Sequence, residues 1–316
     1  MIVEQILKSE TNVLVEGTYI INDIKLKPFS EREGHFLTFS LQDKTGIVWA
    51  KIWDNGEKIA ESLKQANAFA VTIKGRTNVY QNKTQVIVDK IKVAEEYVVS
   101  DLMIVATKDP EEMWNELCSI MDTMKNKHIK KVWQDFKDDV EFVEKFKVCP
   151  GGKGTVHHAY RSGLLEHTLT VVEILMQVNL FMKDKVNYDK LLLGAFAHDL
   201  GKLESYSMEN IKIEMTDAGR LHGHLALGYY SFKKRLETKG FAPALIEDIG
   251  HIILSHHGSR DKGAVVEPMT IEAKLVSFAD VLDSDTSYMH QQLGHNSDEK
   301  GWVFDSLMSQ FFFTRK

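Results

Sequence analysis

The residues that could do chemistry are thirteen histidines, most of them crowded between His157 and His257, and a few aspartates among them. His167 lies in GLLEHTLTVVEIL, on the same helical face as Leu164, Val171 and Ile174. His198 and Asp199 are adjacent in LLLGAFAHDLGK, and His224 follows in GRLHGHLALG beside His222. His256 and His257 end ALIEDIGHIILSHHG, and Asp280 sits in IEAKLVSFADVLDSD one turn after Val276. Each alone is better explained as a satisfied core residue. Together they put imidazoles and carboxylates at the ends or inner faces of five expected helices, where burial without a partner is costly. A shared divalent cation, or two, satisfies them all. Nitrogen and carboxylate donors without thiolate suit Mn, Fe, Co, Ni or Zn rather than Ca. With Asp199 bridging two nitrogen-rich pockets, the set has the composition of a two-metal centre that hydrolyses phosphate esters. Lys202, one helical turn from His198, is placed to steady a phosphate.

Positioning such a set takes a substantial core, and the chain has the means. Its 316 residues are 43% apolar and 27% charged, which excludes disorder as a whole-chain description and points to two domains. A formal charge of −6 excludes nucleic-acid binding by bulk charge, so any such binding needs a local surface. Cys118 and Cys149 are the only cysteines and lie far apart. They exclude a disulfide scaffold and a cysteine zinc site and fit a reducing compartment. The N-terminal MIVEQILKSE lacks the basic flank and apolar stretch of a signal peptide, and no apolar run approaches the ~20 residues of a membrane span. A cytoplasmic protein without a membrane partner is expected.

The first 95 residues read as strands: 11–29, HFLTFSLQD, IVWAKIWD, AFAVTIKGRTNVY and KTQVIVDKIKVA, with a short helix, GEKIAESLKQ, between the third and fourth. Five strands in that order are the signature of an OB-fold barrel. Period-2 alternation turns Leu37, Phe39 and Leu41 to one face of the second strand and Phe36, Thr38 and Ser40 to the other. In the third strand Val48, Ala50 and Ile52 point inward, and Trp49, Lys51 and Trp53 point outward. Two tryptophans flanking a lysine make a stacking platform for unpaired bases, with a cation for phosphate. The same rings would also serve to pack against the second domain or a partner subunit. Residues 1–95 carry 13 Lys/Arg against 12 Asp/Glu, so this is the less acidic part of the chain.

From about residue 108 the period becomes helical. Trp114, Leu117, Ile120/Met121 and Met124 form a core stripe that starts at Asp109-Pro110. HIKKVWQDFKDDVEFVEKF is a second helix or pair, CPGGKG is a loop without the context of a phosphate-binding P-loop, and helices follow at 163–181, 188–200, 221–238, 242–257 and 270–283.

The order His167, His198-Asp199, Asp280 resembles that of the HD-domain phosphohydrolases, all-α metal enzymes named for the His-Asp pair. The additional His224 and His256-His257 resemble the binuclear subset of that superfamily. HHAYRSGLLEHTL, AHDLGK and SFADVLD are similar to the HD stretches of the YhaM-type 3′–5′ exoribonucleases, which join an N-terminal OB-fold to a C-terminal HD domain at about this length. The resemblance covers nearly the whole chain. It implies that His167, His198, Asp199 and Asp280 hold one metal, that Asp199 bridges, and that His224 and His256 complete a second. His257 is then a ligand or a phosphate contact. Lys202 and Arg161 become candidates for the scissile phosphate, His157 and His158 for the substrate entrance, and Asp283 for supporting the ligands from behind. The cyclic-dinucleotide phosphodiesterases of the superfamily follow the paired histidines with Gly-Tyr-Pro. The run HHGSRDKGAVVEP has none, which argues against that substrate.

The expected architecture is multidomain: an all-β OB-fold over 1–95, a helical linker or the start of the helical half over 96–155, and an all-α HD domain over 156–316. The expected activity is metal-dependent 3′–5′ hydrolysis of single-stranded RNA, with single-stranded DNA a second candidate. Asp199 and Lys202 are its catalytic residues, and Phe36, Trp49, Lys51 and Trp53 hold the strand. The resemblance favours two Mn²⁺, with Co²⁺ or Fe²⁺ as alternatives. Two rival readings are a phosphohydrolase of nucleotides or small phosphate esters and a non-catalytic single-strand binder. The apolar tail VFDSLMSQFFF is a candidate packing surface for a homo-oligomer.

Overall fold

The computed structural model describes residues 1–316 apart from 31, 82, 104–105, 107, 153–157, 210–211, 296–300, 306 and 315–316. The chain forms two compact units, residues 1–105 and residues 106–316, with 210–212 left out of the second.

The first unit runs α1 (Val3–Leu7), β1 (Leu14–Pro28), β2 (His35–Asp43), β3 (Gly46–Ile52), α2 (Gly56–Gln65), β4 (Ala70–Tyr80), β5 (Lys83–Val93) and α3 (Val99–Leu102). Its strands close in the order β1-β2-β3-β5-β4, with β4 paired back onto β1. The β3–β5 pairing is parallel and the others are antiparallel. A closed five-stranded barrel with a helix between the third and fourth strands is the OB-fold. Alternation decides its inside: Leu37, Phe39 and Leu41 meet Val48, Ala50 and Ile52 in the core. The outward side of β2 is not all open. Thr38 and Ser40 are buried because β1, irregular between Asn22 and Lys25, supplies Lys25 O and the Asp23 carboxylate to their hydroxyls. Helix α1 adds Val3 and Ile6 to the core and was not legible in the sequence, since five residues are too few to show a period.

The second unit begins with α4 (Pro110–Met121), α5 (Lys127–Lys137), α6 (Val140–Val148), α7 (Gly163–Met182), α8 (Tyr188–Ala197) and α9 (Lys202–Ser205). A hairpin, β6 (Tyr206–Glu209) and β7 (Lys212–Met215), comes next, then α10 (Asp217–Thr238), α11 (Pro243–Ser255), α12 (Ile271–His295) and a second hairpin, β8 (Gly301–Asp305) and β9 (Gln310–Thr314). Side-chain oxygens of Asp109, Asn126, Asp139, Asn187 and Thr216 cap the amides that open α4, α5, α6, α8 and α10, which fixes where each helix starts. The α4 stripe of Trp114, Leu117 and Met121 joins Trp133, Phe146 and Phe196 in one apolar core.

Three features differ from the sequence expectations. The helical half carries two hairpins, whose four- and five-residue strands are too short to stand out from their helical surroundings. Helices α4 to α6 are no separate linker, one of the two readings of 96–155; they share the core of the helices that follow, as the start of the helical half does. Finally, α7 is long and apolar enough to cross a membrane by length and composition. Its Leu164, Leu165, Val171, Val172 and Leu175 are buried in the helical core.

Candidate metal centre and nucleic-acid face

Five helices deliver the site. His167 sits on α7, His198 ends α8 with Asp199 just beyond, His224 sits on α10, His256 ends α11 with His257 following, and Asp280 and Asp283 lie one turn apart on α12. His167, His198, Asp199 and His256 are buried to the last few per cent, as is most of Asp280.

Each ring has a fixed orientation. His198 Nδ1 donates to Ala195 O at 2.6 Å and His256 Nδ1 to Ile253 O at 2.8 Å, both reaching back to the carbonyl three residues earlier on their own helices. His257 Nδ1 donates to Lys262 O at 3.1 Å. His167 Nδ1 donates to Asp283 Oδ2 at 2.6 Å, and that same oxygen accepts from His158 Nε2 at 2.8 Å. A carbonyl or carboxylate can only accept, so Nδ1 of His167, His198, His256 and His257 carries the proton and Nε2 is left for the site.

The Nε2 atoms converge on Asp199. Oδ2 lies 3.5 Å from His167 Nε2 and 3.4 Å from His198 Nε2, while His167 Nε2 is 3.1 Å from His198 Nε2 and 3.3 Å from Asp280 Oδ1. Oδ1 lies 3.4 Å from His224 Nε2 and 3.5 Å from His256 Nε2. Donors held at ~2.1 Å around one cation stand about 3.0–3.4 Å apart, for octahedral and tetrahedral arrangements respectively. The observed spacings therefore fit a cation on the Oδ2 side. On the other side, Asp199 Oδ1 and His224 Nε2 are buried without a hydrogen-bond partner among the described residues, and the rings of His224, His256 and His257 cluster there. A buried carboxylate oxygen and imidazole nitrogen left unbonded in this way also fit a cation.

The electrostatics agree with a concentrated charge site. Burial would raise the Asp199 carboxyl, but Lys202, whose Nζ is 2.6 Å from Oδ2, and His198 hold it well below the carboxylate range. Burial pushes Lys202 down, and Asp199 more than restores it. Burial also opposes charge on His167, yet its bonds to Asp280 and Asp283 lift it to about 9. At His198 and His224 burial outweighs the pull of the nearby Asp199 carboxylate, so His198 is lowered and His224 falls to about 3. A cavity of about 410 Å³ opens over the centre, lined by Asp199, Lys202, His224, His256, His257 and Asp280 together with Gly151, Gly152, Tyr206, Lys262, Ser284 and Asp285.

On the barrel, Trp49 is half exposed and faces outward between Ser40 of β2 and Gln85 of β5. Trp53, just past β3, packs on Phe36 with ring centroids 4.9 Å apart, and Phe29 completes the group at 5.5 Å from Phe36. Lys51 Nζ lies 5.5 Å from the Trp53 ring and 5.4 Å from Tyr80, and the Arg32 guanidinium covers Phe29 at 3.8 Å. Rings interleaved with cations are the elements of a strand-holding face.

The sequence matches the HD domain family over residues 164–285 and the OB-fold nucleic acid binding domain family over 20–94. The 3′–5′ exoribonuclease YhaM of Geobacillus sp. (strain WCH70) is 30% identical over 262 residues, covering 82% of this chain and 78% of that protein. Those of Bacillus subtilis (strain 168) and Bacillus pumilus (strain SAFR-032) are 26% and 27% identical, covering 87% and 82% of this chain and 86% and 82% of their own lengths. The chain belongs to the YhaM family of 3′–5′ exoribonucleases.

In this YhaM-family enzyme an HD domain implies divalent-metal binding, and the His and Asp clusters described above have the donor chemistry for it. The structure brings together His167, His198, Asp199, Lys202, His224, His256, His257 and Asp280. Other expected positions differ. His158 is not at a substrate entrance: it is buried behind His167, bonded to Asp283 on one side and to Tyr160 on the other, and Tyr160 bonds Glu166 in turn. Arg161 is half-buried and is not among the residues lining the cavity, while His157 lies outside the described residues. Missed in the sequence were Gly151 and Gly152, Tyr206 and Lys262 at the cavity, and Phe29, Arg32 and Tyr80 on the barrel. The glycines fall in the CPGGKG loop, so the glycine signal was visible but lacked a partner in sequence.

Gly201 explains how α10 comes near enough to present His224. A Cβ at that position would stand 1.8 Å from His224 O and 2.5 Å from Gly228 N, both backbone atoms that cannot swing aside. Gly223, at φ +73°, kinks α10 one residue before His224. Gly201→Ala is expected to force α10 outward and cost about 3 kcal/mol of stability, read as a lowered urea midpoint. An unchanged midpoint would mean that the two backbones are not in obligatory contact.

Proposed function

We propose that the chain shortens single-stranded RNA from its 3′ end to nucleoside monophosphates, at a two-cation HD centre, with the strand held by the barrel. The observation that carries this reading is the Asp199 carboxylate: each of its oxygens faces its own set of imidazole Nε2 atoms, and the rings of His167, His198 and His256 each turn a protonated Nδ1 away. His167, His198, Asp199 and Asp280 would hold one cation, and Asp199, His224, His256 and His257 the other. Bound there, such cations supply an activated water and neutralise charge on the attacking and leaving oxygens.

The chain's own residues do the rest. Lys202 keeps the Asp199 carboxylate ionised and aimed, and Asp283 fixes the His167 ring. Lys262 and the Gly151–Gly152 backbone line the cavity where the terminal phosphate would lie. A cavity of about 410 Å³ is the size that encloses a single small-molecule-sized group, which suits one end nucleotide. The named activity of the relatives supports RNA and the 3′ direction. Stacking does not read the sugar, so the barrel admits single-stranded DNA as well. Manganese is the proposed metal, with Co²⁺ or Fe²⁺ compatible with the same donors. The two free, buried cysteines suit a reducing cytoplasm.

The test is RNA labelled at its 5′ end, incubated with Mn²⁺ with and without a chelator. A ladder shortening from the 3′ end, lost on chelation and regained with Mn²⁺, is expected. Intact RNA in every lane, from folded and metal-loaded protein, would overturn the reading in favour of a mononucleotide substrate.

Asp283 provides a finer check. Its bond to His167 Nδ1 orients a ligand without touching the cation, and losing such a partner lowers metal affinity about 10–100-fold. Asp283→Asn is expected to weaken Mn²⁺ binding by that factor in calorimetric titration. Wild-type affinity would show that His167 is held by packing alone.

A further inference from the structure

The hairpin β8–β9 presents an aromatic face that the catalytic reading leaves unused. It lies beyond residue 285, where the match to the HD domain ends. One side is anchored: Phe312 is buried against Tyr288 of α12, and Tyr288 OH donates to Asp305 Oδ2 at 2.8 Å. The other side carries Trp302 opposite Phe313 and Phe304 opposite Phe311, with ring centroids 4.8 and 5.0 Å apart. Trp302 is 69%, Phe304 56%, Phe311 62% and Phe313 45% exposed, with Leu307 at the turn 59% exposed. The two strands pair only with each other among the described residues. A lone two-stranded hairpin is marginal in water, and a contiguous apolar face of this kind marks an interaction site.

Charge and symmetry select the occupant. Residues 301–314 contain no lysine or arginine, and the basic residues of this stretch, Lys300, Arg315 and Lys316, flank it in sequence, so no cation is interleaved with the rings as a base-stacking strand requires. The only charged side chain, Asp305, is buried and bonded to Tyr288. Between its ends the face is therefore uncharged and complementary to another uncharged aromatic face. The molecule supplies one. In this register a two-fold axis through the hairpin centre exchanges Trp302 with Phe311 and Phe304 with Phe313, so rings occupy all four corners. Such a face can meet its own copy isologously. At roughly 150–250 Å² per aromatic side chain, the exposed fractions and Leu307 amount to about 600 Å² per copy, and about 1,200 Å² for a pair is the lower bound of a stable specific interface.

We propose that two copies of this chain associate face to face through Trp302, Phe304 and Phe311. The full chain at about 50 µM should sediment with twice the 36.1 kDa monomer mass. Trp302→Ser/Phe311→Ser should sediment at half the wild-type mass and still shorten RNA at the wild-type rate. A monomeric wild-type chain overturns the proposal, as does a double variant that keeps the wild-type mass. Because the variant's hairpin could unravel, the unaltered chain is also diluted through its dissociation range. Amide exchange should then rise within 301–314, and a rise confined to other segments overturns the proposal. Protection of the hairpin by vesicles or by oligoribonucleotide, in a chain that stays monomeric, would assign the face to that partner instead.

Discussion

Asp199→Asn should reduce RNA shortening by at least about 10³-fold, the scale on which catalytic groups acting as a unit fail when one is removed. The substitution keeps shape and removes charge. Either orientation of the amide puts an NH₂ group where a carboxylate oxygen faced two Nε2 atoms, since Oδ2 looks at His167 and His198 and Oδ1 at His224 and His256. That group donates to an imidazole instead of binding a cation, so one side of the centre is lost whichever way it turns. The variant also strands Lys202, whose buried ammonium lies 2.6 Å from Oδ2. Breaking a buried pair at one partner costs about 3–5 kcal/mol, so the single variant is expected to be less stable as well as inactive. Asp199→Asn/Lys202→Met separates the two effects. It should recover most of the lost stability in urea while RNA shortening stays at the level of the single variant. Activity within tenfold of wild type in either variant would remove Asp199 from the chemistry.

How much of this was legible in the sequence follows from the range of each interaction. The barrel strands were readable because period-2 alternation is local: Val48, Ala50 and Ile52 against Trp49 and Lys51 state the inside and the outside within one strand. That the imidazoles and carboxylates come together was readable for a different reason, since several such buried groups share one economical explanation. What supports the ligands was mostly hidden. His158 bonds Asp283 across 125 positions of sequence, and no periodicity announces such a pair. Periodicity reports that a residue faces inward and is silent on what it meets there, so His158 was expected at an entrance and is found behind His167. Lys202 was expected on a phosphate for the same reason, and its ion pair with Asp199 depends on the turn that follows α8. Phe29 joins Phe36 and Trp53 only because β1 and β2 bring their ends together around the intervening turn.

The barrel face carries the second large effect. Removing a stacking ring costs about 1–3 kcal/mol per base, about 5- to 150-fold in affinity. Phe36→Ala/Trp53→Ala removes two rings that touch each other, so their effects will not simply add, and KM for single-stranded RNA is expected to rise about 30-fold. Turnover of a dinucleotide, which offers little strand beyond its reacting end, should be unchanged. That contrast separates strand holding from chemistry, because damage to the HD centre would slow both substrates alike. Lys51 has a separate signature. If its ammonium, placed between Trp53 and Tyr80, neutralises one phosphate, Lys51→Ala should lower the slope of log affinity against log salt by about 0.7. Fold is not at stake in these changes, since Trp53 and Lys51 lie outside the barrel core that Leu37, Phe39, Val48 and Ala50 fill. An unchanged KM for RNA in the double variant would mean that the aromatic group of the barrel serves contacts other than the strand. The substrate would then have to be held by the HD cavity alone, and long and short RNA would be degraded with equal affinity.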